Sequence, residues 1–112
     1  MGFSNEIIKG SIETIVLKAL NELGEAYGYQ LIKTIQEMSD NIFEFQESTL
    51  YPLLYRLEEK NLVTSIRKTA PSGKERRYYC LTTSGKKLLS SKLSELKEYL
   101  TGINKVLNFK IS

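Results

Sequence analysis

The segment STLYPLLYRLEEKNLV, residues 48–63, constrains the fold of this chain most, because it combines a helical leucine pattern with a proline near its start. Proline has no N–H to donate, so a helix tolerates it best in the first turn. We therefore predict a helix that begins near Ser48 or Thr49, either of which could be its N-cap. Its buried face is expected to consist of four leucines, Leu50, Leu53, Leu54 and Leu57.

Two stretches of alternating side chains follow this helix and predict a β-hairpin. Leu62–Lys68 and Arg77–Leu81 both alternate with the period of two that a strand requires. The loop between them, TAPSGKE, contains Pro71 and Gly73, which favour a turn. A helix followed by such a hairpin suits duplex nucleic acid, since the helix can enter a major groove while the hairpin reaches neighbouring phosphates.

Charge is distributed unevenly along the chain. Residues 64–87 contain seven lysines and arginines against one acid, Glu75, whereas residues 21–60 contain eight acids against three cations. The net charge of +3 is modest, but a localised positive region is typical of a phosphate-binding face. A solvated hairpin rich in lysine and arginine is the alternative interpretation.

The N-terminal half predicts two further helices. The first covers Ser11–Leu23, with Ser11 as a plausible N-cap and Gly24 as a stop. The second runs from about Tyr27 to Met38. Gly28, near its start, could allow a close approach of the backbone or an unusual dihedral angle, or it could simply be a residue that starts the helix.

A long last helix is predicted to begin at Thr82 or Thr83. Its apolar residues recur at alternating steps of four and three, a 3.5-residue period that is typical of a coiled-coil seam. We predict that this seam joins two copies of the chain, whereas the alternative is that the helix folds back on its own domain. The predicted dimerisation residues are Leu89, Leu93, Leu96, Leu100, Ile103 and Leu107.

The composition excludes several kinds of site. With one cysteine and no histidine, the chain can form neither an internal disulfide nor a zinc site of the usual Cys/His type, and it lacks the commonest general base. We predict that it is not an enzyme and uses no metal or cofactor. Cys80 lies in a predicted strand, where a half-buried structural residue is favoured over a reactive thiol.

No segment approaches the run of about 20 apolar residues that spans a bilayer. The N-terminal residues also lack the basic, apolar and small-residue regions of a signal peptide. We therefore expect a cytoplasmic protein that does not interact with a membrane.

The order of these elements predicts a mainly α fold with a small β-hairpin. Three helices followed by a hairpin form a winged helix-turn-helix, which we assign to residues 1–82 as a DNA-binding domain. Residues 83–112 would then form the long C-terminal dimerisation helix.

The chain resembles the PadR family of bacterial transcriptional regulators, in the short form that has a single C-terminal helix. The resemblance rests on three motifs in the same order and spacing: GYQL at 28–31, STLYPLLYRLEEKNLV at 48–63 and RRYYCLTTSG at 76–85. It covers nearly the whole chain, from about Gly10 to Leu107.

This resemblance implies a homodimeric repressor that binds double-stranded operator DNA of two-fold symmetry and is released by a small-molecule or stress signal. It also implies room for a small hydrophobic or aromatic effector at the dimer interface, although this chain has no tryptophan and places Leu96 at the centre of the seam. Tyr55 stands where members often carry lysine or arginine. The alternative function is a winged-helix protein-interaction module without DNA binding.

Candidate DNA contacts fall on the predicted third helix and on the wing. Ser48, Thr49 and Tyr51 could meet base edges or phosphates, although Ser48 and Thr49 could serve only as caps and Tyr51 could pack under the wing. Arg56 could bind a phosphate or a nearby glutamate. The candidate wing contacts are Ser72, Gly73, Lys74, Arg76 and Arg77, with Ser72 and Gly73 allowing close approach. Tyr78 and Tyr79 are interpreted as structural.

Overall fold

A computed structural model describes residues 3–4 and 9–109 of the chain. The helices and strands that it contains are α1 (Ile12–Leu23), β1 (Ala26–Tyr27), α2 (Gly28–Met38), α3 (Glu47–Glu59), β2 (Val63–Thr69), β3 (Glu75–Leu81) and α4 (Thr83–Leu107). The predicted class, mainly helical with a small antiparallel sheet, is confirmed. Residues 1–2 and 5–8 lie outside the described part, so the expectation about a signal peptide rests partly on residues that the structure does not describe.

The sheet has three strands, one more than the predicted hairpin. Its order is β1-β3-β2, and β1 pairs antiparallel with β3 through Ala26↔Tyr79 and Tyr27↔Tyr78. The sequence had suggested that Tyr27 starts the second helix. It belongs instead to a strand. Its backbone is extended, with φ −93° and ψ 165°, because the segment between α1 and α2 pairs along the outer edge of β3.

The helix α3 begins earlier than Pro52 alone suggested. Gln46 is its N-cap position, and the N–H groups of Thr49 and Leu50 both donate to the Gln46 carbonyl at 3.0 Å. Ser48 and Thr49 are thus inside the first turn, and the prediction that one of them is the N-cap is wrong. Pro52 follows within the helix, where its missing N–H leaves one backbone hydrogen bond unmade.

One hydrophobic core lies between the three N-terminal helices and the inner face of the sheet. The predicted leucine face of α3 is confirmed, since all four leucines are buried. The largest fully buried side chains are Val16, Leu17, Leu20, Leu31, Leu50, Leu54, Leu57 and Val63. Because these leucines cover one side of α3, its opposite side must face solvent.

The start of α4 is joined tightly to the end of α3. Thr82 caps α4 by accepting a hydrogen bond from the Gly85 N–H at 3.0 Å, as predicted, and its hydroxyl donates to the Asn61 carbonyl at 2.7 Å. A side chain at Gly85 would overlap the carbonyl oxygen of Leu62, which also accepts from the Thr82 N–H at 3.1 Å. Only glycine lets the two backbones approach this closely.

The two halves of α4 have different surroundings. Leu89 is part of the core, and Lys92 forms an ion pair with Glu13 of α1 at 3.5 Å. Beyond this point the seam residues lie exposed or half-buried along a helix of 25 residues. The division of the chain into two domains at residue 82 stays a prediction. Leu89, which follows this boundary, packs in the core with the helices that precede it. Among the described residues, no helix is long and apolar enough to cross a membrane.

Candidate nucleic-acid interface

The solvent-facing side of α3 carries all four candidate contact residues that the sequence placed on this helix. Ser48, Thr49, Tyr51 and Arg56 are exposed, since the leucines take the opposite side. Arg56 forms no ion pair within 4 Å among the described residues, so the alternative salt bridge to a glutamate is not observed. Its guanidinium is therefore open to an external anion.

Tyr51 lies against the first residue of α2, and this contact explains Gly28. A Cβ atom at Gly28 would stand 2.5 Å from the Tyr51 hydroxyl oxygen and 2.6 Å from two of its ring carbons. Gly28 has no positive φ, so close approach, and not an unusual dihedral angle, is the reason for glycine here. Tyr51 is nevertheless 42% exposed, so its ring contacts the start of α2 and also faces solvent.

The hydroxyl of Tyr51 stays protonated at neutral pH. Burial raises the pKa of this phenol, and the neighbouring Glu47 carboxylate raises the pKa further, whereas the Arg76 guanidinium lowers it. A protonated phenol can both donate and accept a hydrogen bond. Tyr51 can therefore pair with either a base edge or a phosphate oxygen.

The wing is the hairpin of β2 and β3, and its tip is a tight turn that exposes Ser72, Gly73 and Lys74. The Gly73 N–H donates to the Ala70 carbonyl at 2.9 Å, and the Ala70 N–H donates to the Lys74 carbonyl at 2.8 Å. Gly73 has φ +88°, which favours glycine. The turn thus places the exposed side chain of Lys74 at the tip of the wing.

Arg77 is anchored to α3 by a chain of hydrogen bonds. Its Nη1 donates to the Ser65 hydroxyl at 3.0 Å, and that hydroxyl donates to Glu58 Oε2 at 2.6 Å. This chain joins β3 to β2 and β2 to the last turn of α3. It links the wing to the helix, while Arg77 itself stays exposed.

Arg76 is more enclosed than the sequence suggested. Its side chain is half-buried, with the guanidinium carbon 5.6 Å from the centre of the Tyr27 ring, a cation–π contact. Its Nε atom is buried and has no hydrogen-bond partner among the described residues. Tyr27 also packs edge-on against Tyr78 at 5.3 Å between ring centres.

The other two wing cations are paired within the protein. Arg67 faces Glu75 at 3.6 Å, and Lys68 pairs with Glu25 while its ammonium lies 4.6 Å from the centre of the Tyr78 ring. Lys74, at the tip, has no such partner in the described structure. The prediction that Tyr78 and Tyr79 are structural is confirmed, since both are buried.

A polar cleft of about 250 Å³ separates the start of α3 from the wing. It brings together three of the predicted contact residues, Tyr51, Arg76 and Arg77. The two carboxylates at its edge, Glu47 and Glu75, partly offset the arginine charge. Its other lining residues are Tyr27, Gly28, Tyr29 and Arg67.

The remaining predicted contact residues lie outside this cleft. Ser48, Thr49 and Arg56 belong to the free surface of α3, and the tip residues belong to the end of the wing. Tyr55, which the sequence interpretation did not include among the DNA contacts, is 64% exposed on the same surface. The helical period could have identified it, since it falls opposite the leucines.

The predicted seam of α4 divides at Leu93. Leu89 is 4% exposed and belongs to the core of its own chain, while Leu93, Leu100 and Leu107 are 39%, 50% and 55% exposed. Leu96 and Ile103 are half-buried. An open apolar groove of about 240 Å³ lies beside the start of this stripe, lined mainly by Ile15 and Ala19 of α1, Ile35 and Met38 of α2, and Leu93 and Leu96 of α4.

Comparisons with known proteins agree with this architecture. Residues 16–91 match the model of the transcriptional regulator PadR-like family. The chain is 33% identical over 94 residues to an uncharacterised protein of Lysinibacillus sphaericus. The aligned region covers 84% of this chain and 85% of that protein.

Two solved structures are similar over most of their length. A transcriptional regulator from Clostridium thermocellum has a TM-score of 0.80 and 34% identity, with 89% of this chain and 96% of that chain covered. A PadR-like transcriptional regulator from Bacillus cereus has a TM-score of 0.80 and 26% identity, with 94% and 99% covered. The family match and these similarities show that the chain belongs to the PadR-like family of transcriptional regulators, as its three motifs predicted.

Proposed function

We propose that this protein, a transcriptional regulator and not an enzyme, is a cytoplasmic homodimeric repressor that binds a two-fold symmetric operator in double-stranded DNA. One observation carries the proposal. A helix with an exposed, hydroxyl-bearing surface lies beside a wing that offers cations to solvent. This pairing suits a helix in the major groove and a wing on the adjacent backbone.

Direct base recognition by α3 is expected to be modest. Ser48, Thr49 and Tyr51 can each form single hydrogen bonds, and the methyl group of Thr49 can touch a thymine methyl. The first turn of α3, residues 47–50, carries no arginine or asparagine for a two-point contact with one base. We therefore expect DNA shape and half-site spacing to supply much of the specificity.

The wing would supply most of the affinity through phosphates. Lys74 and Arg77 are exposed, and the half-buried Arg76 lines the cleft beside the start of α3. Ser72 and Gly73 add little bulk at the tip, so the backbone there can approach the DNA closely. Each phosphate contact should add about −0.9 to the slope of log affinity against log salt.

The dimer would form through the exposed part of the α4 seam. Isolated leucines on a surface are ordinary, but a regular stripe along one helix favours a partner helix with the same stripe. A second copy satisfies this condition and would set the two α3 helices at a fixed spacing. The proposed contacts are Leu93, Leu96, Leu100, Ile103 and Leu107.

The same region suits a small hydrophobic or aromatic effector. The groove between α1, α2 and α4 is apolar, and Leu93 and Leu96 belong both to its wall and to the proposed seam. A ligand there would contact the element that sets the spacing of the two α3 helices. The ligand would release the operator if it bound more tightly to a dimer whose two α3 helices are spaced differently from the two half-sites of the DNA.

Gel-shift measurements across a salt series test the DNA-binding proposal. Changing Lys74, Arg76 and Arg77 together to alanine should weaken binding to every duplex. It should also flatten the salt slope by about five for a dimer that loses three cations on each chain. The control is Lys97→Ala with Lys105→Ala, which removes exposed cations of α4 and should leave the slope unchanged.

An unchanged slope in the triple variant would show that the wing does not bind phosphates. If the unaltered protein binds no duplex at low or moderate salt, the interaction-module interpretation replaces that of a repressor. A mixed result, with binding present and a slope reduced by less than two, would move the phosphate contacts from the wing to other cations.

A further inference from the structure

The direction of each side chain around α3 can be worked out from its buried leucines. Successive residues of an α-helix are about 100° apart, so the four leucines define one direction, toward the core. The residues that point the opposite way, directly into solvent, are Ser48, Pro52, Tyr55 and Glu59. Of the residues on this outermost line, only Ser48 was among the contacts that the sequence had predicted.

Apart from Ser48, the contacts predicted on α3 lie on the flanks of this line. Tyr51 turns toward the wing side, where its ring packs against Gly28, and Glu58 on the same side holds Ser65. Thr49 and Arg56 fall on the other flank. A DNA groove that meets α3 centrally would therefore encounter the outermost line first.

Tyr55 has the greatest reach along this line. It is 64% exposed, more than Tyr51, and no hydrogen bond, ring contact or ion pair holds it among the described residues. Ser48 and Pro52 are short, and the carboxylate of Glu59 would be repelled by phosphates. Tyr55 also lies four residues after Tyr51, so it extends the surface one turn deeper along the helix.

We propose that Tyr55 is a specificity-determining residue that packs its ring on the C5-methyl group of a thymine in the major groove. This inference rests on the proposed binding of DNA. The methyl group distinguishes thymine from the other bases in that groove, and an apolar surface recognises it by contact. The charge-free line from Ser48 to Tyr55 favours such a contact over a phosphate contact.

The experiment begins with duplexes selected by the unaltered protein from a pool randomised over about two helical turns. Each thymine of a selected duplex is then replaced in turn by deoxyuridine, which keeps base pairing and removes only the methyl group. We expect one thymine in each half-site whose replacement weakens binding about fourfold, the size expected for one buried methyl group. Competition gel-shifts provide the measurement.

Two variants connect that thymine to Tyr55. Tyr55→Ala should bind the methylated and unmethylated duplexes equally, because the ring that contacts the methyl group is gone. Tyr55→Phe should retain the fourfold difference, because the ring remains, and it serves as the matched control for folding. Both substitutions are at an exposed site, so thermal unfolding should change little.

The outcomes separate this inference from the function on which it rests. If Tyr55→Ala retains the same sensitivity to deoxyuridine, Tyr55 does not recognise the methyl group, and the inference is overturned while DNA binding stands. An unaltered protein that is indifferent to every thymine replacement also overturns it. If no duplex is retained from the pool, DNA binding itself fails and the inference falls with it.

Discussion

The two halves of α4 carry the same leucine spacing and differ in what surrounds them. In the first half, Leu89 is 4% exposed in the core formed with α1 and the sheet. In the second half, Leu100 is 50% exposed, and Val106 beside the seam is 83% exposed. The winged-helix body covers its own apolar side chains, whereas the end of α4 presents them to solvent.

This difference separates leucines that one chain can bury from leucines that it leaves exposed to solvent. Burying a leucine contributes about 1.5–3 kcal/mol, so the body gains stability from its leucines in a single copy. The end of α4 gains it only when another apolar surface covers the stripe. The same residue type therefore contributes to folding at one end of the helix, and at the other it is available for the proposed association.

The largest expected effect comes from making the exposed half of the seam charged. Leu96→Glu together with Leu100→Glu should convert a dimer to monomers, because four leucines per dimer would be lost, each contributing on the order of 2 kcal/mol. Sedimentation equilibrium at micromolar concentration provides the measurement. Ser94→Glu with Thr101→Glu, on the outer side of the same helix, is the matched control and should remain dimeric. A dimer that survives the leucine changes would place the interface elsewhere.

Substitutions at two glycines of α4 should have the next largest effect. They also compare the packed first half of the helix with its exposed second half. Gly85→Ala should lower the free energy of unfolding by about 3 kcal/mol, because its methyl group would overlap the Leu62 carbonyl. Gly102→Ala, whose added Cβ would meet no side chain or neighbouring element within 4 Å, should raise it by up to about 1 kcal/mol. Urea unfolding at one fixed protein concentration measures both changes. Equal effects at the two positions would contradict the tight joint between α3 and α4.

Within the body, Gly28→Ala should separate folding from DNA binding. Its methyl group would displace the Tyr51 ring, which is partly exposed and can turn away, so the free energy of unfolding should change by less than about 1 kcal/mol. Affinity for a selected duplex should fall about tenfold, equivalent to roughly 1.4 kcal/mol. In a Tyr51→Ala background the same change should have no further effect. A further loss there would mean that Gly28 acts through another group.

The smallest expected effect is a dependence of stability on alkaline pH. Burial raises the pKa of Tyr79, with the Arg77 guanidinium opposing this shift and the Glu58 carboxylate adding to it. The unfolded chain, with an ordinary tyrosine pKa of about 10, then loses this proton before the folded chain does. Stability should be complete below about pH 10 and decline as the pH rises further. Tyr79→Phe should reduce that decline, and an identical pH profile would assign it to other groups.

Periodicity identified most of the architecture. The leucines of α3, the apolar face of α1 and the seam of α4 were all recognisable from spacing, because burial selects residues that repeat with the helix. The corrections occurred where spacing carries no information. The N-cap position of α3 moved to Gln46, and Tyr27 entered a strand because β3 offered an unpaired edge.

The candidate DNA-contact surface likewise combines features that the sequence predicts with features that it does not. Hydroxyls on α3 and cations on the wing were identifiable from residue type, but their surroundings were not. Arg76 lies against the Tyr27 ring, and Arg77 is held by Ser65. These arrangements depend on residues that are far apart in sequence and meet only after the sheet and helices pack.

The sequence by itself determined the order of the four helices and of the two hairpin strands, the family and the location of positive charge, since these follow from local pattern and residue type. Only the tertiary structure decided why Gly28 and Gly85 are glycines and where the α4 seam leaves its own core. The physical reason is that a close approach between two segments is a property of both segments together. No periodicity within either segment records the atom that it will meet.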